Sequence, residues 1–156
     1  MLALGETMTD GLRDKLTPVL ADGAVVASLR SRGWQETVAV TVGDRSWTFH
    51  GEREALTGRR EDDAAGAVRF RARRTGYASQ LWDLELHEVP VRMELVSAAH
   101  GTHRFRSGDR LLATTDSTAW SAALSLDAEP GLPLDQQVFL LWVAMLTRRR
   151  NRPAAS

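Results

Sequence analysis

Nine consecutive apolar residues near the C-terminus, residues 138–146, constrain this chain more than any other feature. A helix turns by about 100° per residue, so the run covers more than two full turns and leaves no polar face. Other parts of the chain must therefore enclose such a helix on all sides. As a helix the nine residues rise about 13–14 Å. A helix that crosses a bilayer core requires roughly 20 apolar residues, so this run is far too short. The run predicts a core helix and no transmembrane segment.

The flanks of the run set the expected bounds of this helix. Residues 129–131 (Glu-Pro-Gly) interrupt the preceding pattern, and Pro133 suits the first turn of a helix. Three arginines, residues 148–150, follow the run, and Arg152 comes shortly after them. Cations at that position complement the negative end of the helix dipole. We expect a helix over residues 134–147 that is capped by these arginines.

Most of the chain ahead of the helix alternates between apolar and polar residues, as β-strands do. Segments 38–42 and 46–49 flank Gly43-Asp44, which is a strong hairpin signal. About nine short strands at close spacing predict a sandwich or a closed barrel. The polar stretch 52–66 is expected to form a long surface loop. Further alternating segments are found at residues 68–73, 81–86, 91–95, 102–105, 111–114 and 120–126.

The length of 156 residues suits one domain or a tight pair at most, and 43% hydrophobic residues indicate a globular core. The 20 basic and 20 acidic residues cancel, which argues against a nucleic-acid binder. The chain has no cysteine, so disulfides and thiol chemistry are excluded. No signal-peptide pattern opens the sequence, and we expect a cytoplasmic protein that is peripheral to the membrane at most.

Three regions are expected along the chain. Residues 1–21 are predicted to be a lead-in or a short helix, capped by Thr9 or Asp10 and stopped by Pro18. Residues 22–149 are predicted to form a single barrel domain that contains the core helix. Residues 150–156 are predicted to be a disordered tail.

A β-rich chain closed by one C-terminal helix that is apolar all round resembles the tubby C-terminal domain superfamily. That superfamily includes the LURP-one-like proteins and the phospholipid scramblases, and the hairpin at residues 38–49 and the strand at residues 120–126 are similar to those of its small bacterial members. The resemblance spans roughly residues 22–149 and implies a closed antiparallel barrel of about twelve strands around a central hydrophobic helix. A PH-like barrel with a C-terminal helix is the alternative, and a calycin-type ligand barrel comes third. The helix of a PH-like barrel keeps a solvent face, which fits nine unbroken apolar residues poorly.

The densest basic feature is a row of arginines on one predicted strand. Strand alternation places Arg69, Arg71 and Arg73 on one face, and Arg74 follows directly. Guanidinium groups in a row bind phosphate through paired hydrogen bonds. The resemblance implies the same chemistry, because tubby domains bind phosphoinositide head groups through basic residues.

This row also has a purely structural interpretation. It is then the solvated face of a half-buried strand, with its charges paired to acidic residues 61–63. The function predicted first is binding to an anionic membrane surface through the exterior arginines. The alternative function is a structural or protein-interaction module, with a protein partner and no small-molecule ligand.

Motifs for catalysis, cofactors and metals give no positive signal. The sequence has neither a nucleophile elbow nor a phosphate-binding glycine loop, so a non-enzymatic protein without a cofactor is expected. Asp83 and Glu85 alternate on one strand, as carboxylates on solvated sheets do. His100 and His103 are expected to lie in a surface turn, and no metal site is predicted.

Overall fold

The computed structural model describes residues 1–11, 13–33, 35–64, 67–75, 81–97, 102–117 and 123–150. Within these residues the chain forms thirteen strands followed by one helix. The strands are β1 (Leu2–Leu4), β2 (Met8–Asp10), β3 (Asp14–Ala21), β4 (Ala24–Arg32), β5 (Val38–Val42), β6 (Arg45–Gly51), β7 (Ala55–Arg60), β8 (Phe70–Thr75), β9 (Leu81–Leu86), β10 (Val89–Ser97), β11 (Thr102–Ser107), β12 (Arg110–Asp116) and β13 (Ser125–Ala128), and the helix is α1 (Leu134–Arg150).

The strands form a closed antiparallel barrel. From β3 to β13 each strand pairs with the next one in sequence. Strand β1 then pairs with β13 on one side and with β3 on the other, so a barrel of twelve strands closes between the two ends of the chain. Strand β2 adds a short ladder to the first half of β3. This architecture confirms the predicted closed barrel, and it contains more strands than the alternation pattern indicated.

Helix α1 is buried on every face. All ten residues from Val138 to Thr147 are buried, and together they cover the full circumference of the helix. They pack against the inward side chains of the strands, where Phe49 lies 5.3 Å from Trp142 and Phe70 lies 5.1 Å from Phe139 between ring centroids. The predicted central helix is therefore confirmed, and it extends three residues beyond the expected bound. No helix within the described residues is long and apolar enough to cross a membrane.

Tight turns join many of the strands. Gly43, between β5 and β6, and Gly108, between β11 and β12, each have a φ of 60°. The second central residues, Asp44 and Asp109, do not have a positive φ. A positive φ at the first central residue only is the geometry of a type II′ turn, whose twist matches that of the flanking strands. The hairpin predicted at Gly43-Asp44 is therefore confirmed.

The prediction of a lead-in or short helix over residues 1–21 is wrong, because this region supplies three strands. Leu2, Leu4 and Val19 are buried in the core at alternate positions. Pro18 does not end strand β3. It lies between the residues of β3 that pair with β2, 14–16, and those that pair with β1, 19–21. Its carbonyl faces the gap between these two ladders and accepts a hydrogen bond from the Gly5 amide at 2.8 Å. The missing N–H of proline therefore costs no ladder bond.

The prediction of a long loop over residues 52–66 is also wrong in part, because β7 lies within it. Leu56 and Gly58 face the core, and Gly58 lies directly beneath Phe49 and Phe70. The tail prediction needs a smaller correction, since Arg150 belongs to α1 and residues 151–156 lie outside the described residues. Three tryptophans, Trp47, Trp82 and Trp142, are buried in the core.

Candidate anion-binding groove

Arg69 does not belong to the predicted row of arginines. It precedes β8, and its Nε and Nη2 donate hydrogen bonds to the two carboxylate oxygens of Asp63 at 2.6 and 2.9 Å. These bonds lower the pKa of Asp63, and the same hydrogen bonding raises the pKa of Arg69. The charge of Arg69 is therefore matched within its own loop, as the structural interpretation of the row proposed.

Arg71 and Arg73 do lie together on the outer face of β8. Both are exposed, whereas the alternate residues Phe70 and Ala72 are buried in the core. Arg71 lies opposite Glu85 on β9, and Arg73 lies opposite Asp83. Arg74 falls on the other side of the strand, is half-buried, and lies opposite Trp82. Two of the four predicted arginines thus share an exterior surface.

The register of the barrel brings two further arginines to this surface. Arg92 on β10 lies opposite Asp83, and Arg106 on β11 lies opposite Arg92. Arg73, Asp83, Arg92 and Arg106 therefore form one row across four adjacent strands. Like charges directly opposite each other destabilise a sheet, so stability alone does not favour the Arg92–Arg106 pair.

Neighbouring carboxylates partly balance this row. Arg92 Nε lies 3.4 Å from Asp83 Oδ1, and Arg106 Nε lies 3.3 Å from Glu94 Oε2. About two thirds of the Arg92 side chain and half of the Asp83 side chain are exposed. Ion pairs this exposed contribute only about 0–1 kcal/mol, so solvent or another anion readily replaces them.

These side chains line a depression of about 660 Å³ on the outside of the barrel, between β7 and β11. We call it the arginine groove. Its floor is the sheet itself, and its guanidinium groups outnumber its carboxylates by four to two. The charged residues that line it are Arg71, Arg73, Arg92, Arg106, Asp83 and Glu85.

The histidines do not form a metal site among the described residues. His103 was predicted to lie in a surface turn, but it is 1% exposed on β11, and its amide donates a hydrogen bond to Thr115 Oγ1 at 3.0 Å. Alternation with Phe105 places it on the inward side of the strand, which explains the error. His100 lies outside the described residues. No group of three metal-ligating side chains is found in the described part of the chain.

His50 has partners that the sequence did not reveal. Its Nδ1 lies 3.0 Å from Thr37 Oγ1, and its Nε2 lies 3.2 Å from Glu52 Oε1. A hydroxyl, an imidazole and a carboxylate in this order resemble a catalytic triad. However, 52% of the His50 side chain and 68% of the Glu52 side chain are exposed, so water competes for both hydrogen bonds. We interpret these two hydrogen bonds of His50 as a surface contact between two loops.

The predicted arginine cap of α1 is a tether to the barrel. Arg150 donates from Nε and Nη2 to the two carboxylate oxygens of Glu36 at 2.8 and 2.7 Å. It also donates to the carbonyl oxygens of Glu52 and Arg53 at 2.8 and 3.0 Å. The hydrogen bond from Arg150 is the main cause that lowers the pKa of Glu36. These contacts fix the end of α1 to two loops of the barrel.

No family model matches this chain, and neither a curated protein nor a solved structure does. The geometry of the arginine groove is therefore the basis for interpreting function.

Proposed function

We propose that this protein is a non-enzymatic, tubby-like barrel that binds the phosphate head groups of anionic phospholipids through the arginine groove. The observation that carries the proposal is the exterior row in which Arg92 and Arg106 lie directly opposite each other, two strands from Arg73. A cytoplasmic location at the membrane periphery belongs to the same proposal.

The spacing of the guanidinium groups suits a phosphate ligand. Adjacent strands lie about 4.8 Å apart, so Arg92 and Arg106 can reach the same phosphate. Arg71 and Arg73 are about 6–7 Å apart along their strand. Guanidinium binds phosphate oxygens through paired hydrogen bonds, which are stronger than those between neutral groups.

The filled interior supports an exterior site. Phe49, Phe139 and Trp142 occupy the barrel centre with 0% exposure, so a small molecule has no room there. The resemblance to tubby domains favours lipid head groups over other phosphate-bearing ligands. Since Asp83 and Glu85 compete for the arginines, we expect modest affinity that weakens as salt screens the contact.

Co-sedimentation with vesicles tests this proposal. We compare wild type, the double variant Arg71→Gln/Arg92→Gln and the control Arg69→Gln on phosphatidylglycerol-containing and neutral vesicles. Wild type should bind only the anionic vesicles, and the double variant should lose about thirtyfold in affinity, at about 1 kcal/mol per arginine near the surface. Arg69→Gln should bind like wild type, because Asp63 already occupies that guanidinium.

Two results contradict the proposal. One is wild type that fails to sediment with anionic vesicles at low salt. The other is a double variant that binds as tightly as wild type. In either case the alternative, a structural or protein-interaction module, replaces lipid binding.

A further inference from the structure

Strand β9 contributes only carboxylates to the charge of the arginine groove. Its two outward side chains there, Asp83 and Glu85, are both exposed. The neighbouring strand β8 carries Arg71 and Arg73 on the same surface, and Arg92 on β10 lies opposite Asp83. The charges across β8, β9 and β10 therefore follow the order positive, negative, positive.

A second arginine adds to the positive charge on the far side of β9. Arg106 on β11 lies opposite Arg92, and Glu94 balances it only in part, at 3.3 Å. Each side of β9 thus presents two guanidinium groups, one pair on β8 and the other shared by β10 and β11. Two strand spacings, about 10 Å, separate β8 from β10. The carboxylates of β9 lie between the two pairs of arginines.

The charges of β8 and β9 do not neutralise each other by direct contact. Arg71 lies opposite Glu85, and Arg73 lies opposite Asp83. Among the described residues, however, neither these two arginines nor Glu85 makes a side-chain hydrogen bond or an ion pair. Asp83 accepts one long hydrogen bond, of 3.4 Å, from Arg92. A carboxylate can accept about four hydrogen bonds, so both carboxylates keep most of their capacity for a ligand.

We propose that the arginine groove recognises a phospholipid head group in which an ammonium lies beside a phosphate and a carboxylate, and that its ligand is a bilayer that contains phosphatidylserine. The inference rests on the proposed function and adds the chemistry of the head group. The arginines of β10 and β11 bind the phosphate, the carboxylates of β9 accept hydrogen bonds from the ammonium, and the arginines of β8 bind the serine carboxylate. Each charged group of the lipid then meets a group of opposite charge.

The dimensions of this head group fit the spacing of the strands. An ester oxygen and two carbons separate its phosphorus from its ammonium nitrogen, a reach close to one strand spacing of about 4.8 Å. The ammonium has three donors, enough to contact Asp83 and Glu85 together. A glycerol head group carries no cation, so these two carboxylates form no ion pair with it. The groove therefore distinguishes between two lipids of equal net charge.

Vesicle co-sedimentation of the full chain tests this selectivity. The probes are phosphatidylcholine vesicles that contain the same fraction of either phosphatidylserine or phosphatidylglycerol. Both lipids carry the same net charge, so the surface potential attracts the arginines equally in the two cases. We expect wild type to bind the phosphatidylserine vesicles about fivefold more tightly, which is the most that one exposed ion pair supplies.

Two matched variants locate the selectivity. Asp83→Asn/Glu85→Gln removes the carboxylates of β9, and Asp22→Asn/Asp44→Asn removes two exposed carboxylates from turns that do not line the groove. The first variant should show no preference between the two lipids. It should also bind phosphatidylglycerol vesicles more tightly than wild type does, because the competing carboxylates are gone, and this gain shows that the variant is folded. The control variant should keep the preference of wild type.

The outcomes separate this inference from the proposed function. Equal binding of wild type to the two kinds of vesicle overturns the head-group assignment and leaves the proposed function standing. A preference that survives in Asp83→Asn/Glu85→Gln also overturns the assignment, because the carboxylates of β9 then play no part in it. Absence of binding to either anionic vesicle at low salt overturns both proposals.

Soluble phosphoserine distinguishes a bilayer ligand from a free one. At the head-group concentration of the vesicles it should leave most of the protein bound, because a single molecule does not reproduce the charged surface of the bilayer. Complete displacement by soluble phosphoserine contradicts the bilayer as the ligand and assigns the groove to a free phosphoamino acid.

Discussion

At the scale of single residues, Gly58 shows how closely the backbone of β7 packs against the core side chains. A Cβ at this position would lie 2.9 Å from Phe70 Cδ2 and 3.3 Å from Phe49 Cδ1. Both rings are fully buried, and both contact Phe139 of α1. We expect Gly58→Ala to lower the free energy of unfolding by about 1–3 kcal/mol through overpacking.

Gly131 provides the control for this prediction, because a Cβ there meets no atom within 4 Å and its φ is not positive. Gly131→Ala should change stability by less than about 0.5 kcal/mol. Urea unfolding of the two variants measures the difference. Equal stabilities would show that the rings above Gly58 rearrange without cost.

The Glu36–Arg150 pair is expected to make stability dependent on pH. The pKa of Glu36 in the folded protein lies below its ordinary value of 4.5. A lowered folded pKa means that the contribution of this pair is fully present above about pH 5 and is lost as pH falls through 4.5 and below. Because 37% of the Glu36 side chain is exposed, we expect a contribution of only about 1 kcal/mol.

The variant Glu36→Gln tests this pH dependence. Its loss of stability relative to wild type should be largest near neutral pH and should shrink below pH 4.5. Thermal unfolding at a series of pH values from neutral to acidic measures the difference. A difference that stays constant across this range would contradict the assignment.

At the scale of elements, α1 is expected to contribute to the core mainly through Trp142. This side chain is fully buried, and its ring centroid lies 5.3 Å from that of Phe49 and 5.7 Å from that of Phe139. Trp142→Ala should cost about 3–5 kcal/mol, as expected when a large aromatic side chain leaves a cavity. Chemical denaturation monitored by circular dichroism measures the loss.

Trp142→Phe is the matched variant. The indole N–H of Trp142 is buried and has no hydrogen-bond acceptor among the described residues, so phenylalanine removes an unfavourable group while it keeps an aromatic ring. It should cost clearly less than Trp142→Ala. If the two variants are equally destabilised, ring packing is not what Trp142 contributes.

The elements that the sequence predicts are those whose signal is local. The hairpin at Gly43-Asp44 is predictable because its turn residues and its alternation lie within a dozen positions. Strand β7 is not predictable in this way, because one of its two core positions is Gly58, and the apolar alternation is lost there. Strand β1 has only three residues, and its pairing of Leu2 with Leu126 is invisible in the local sequence.

The candidate site was only half predictable for a related reason. Alternation correctly places Arg71 and Arg73 on the outside of their strand. It gives no information on which strands lie side by side, so it does not bring Arg92 and Arg106 into the same row. The prediction that Arg69 belongs to the row is wrong because β8 begins only at the next residue, Phe70, and the Arg69 guanidinium binds Asp63.

At the scale of the whole molecule, the barrel depends on its helix. The inward side chains of the strands pack against α1, and the interior would be hollow without it. We expect a chain that lacks residues 133–156 to have no cooperative thermal transition, since the lost burial exceeds a typical stability of about 5–15 kcal/mol. Removal of residues 151–156 alone leaves α1 intact and should preserve the transition. A truncated barrel that melts cooperatively would show that the helix is dispensable for folding.

The seam between β1 and β13 has a consequence for how the chain folds. Leu2 pairs with Leu126, so the barrel cannot close until the chain has been synthesised at least as far as residue 126. Helix α1, which fills the interior, is made later still. Until then the growing meander exposes its apolar face and an unpaired edge, both of which favour aggregation. Long-range closure of this kind is slow, on the order of milliseconds to seconds. The newly made chain is therefore prone to aggregation until α1 has been synthesised and covers the apolar face of the strands.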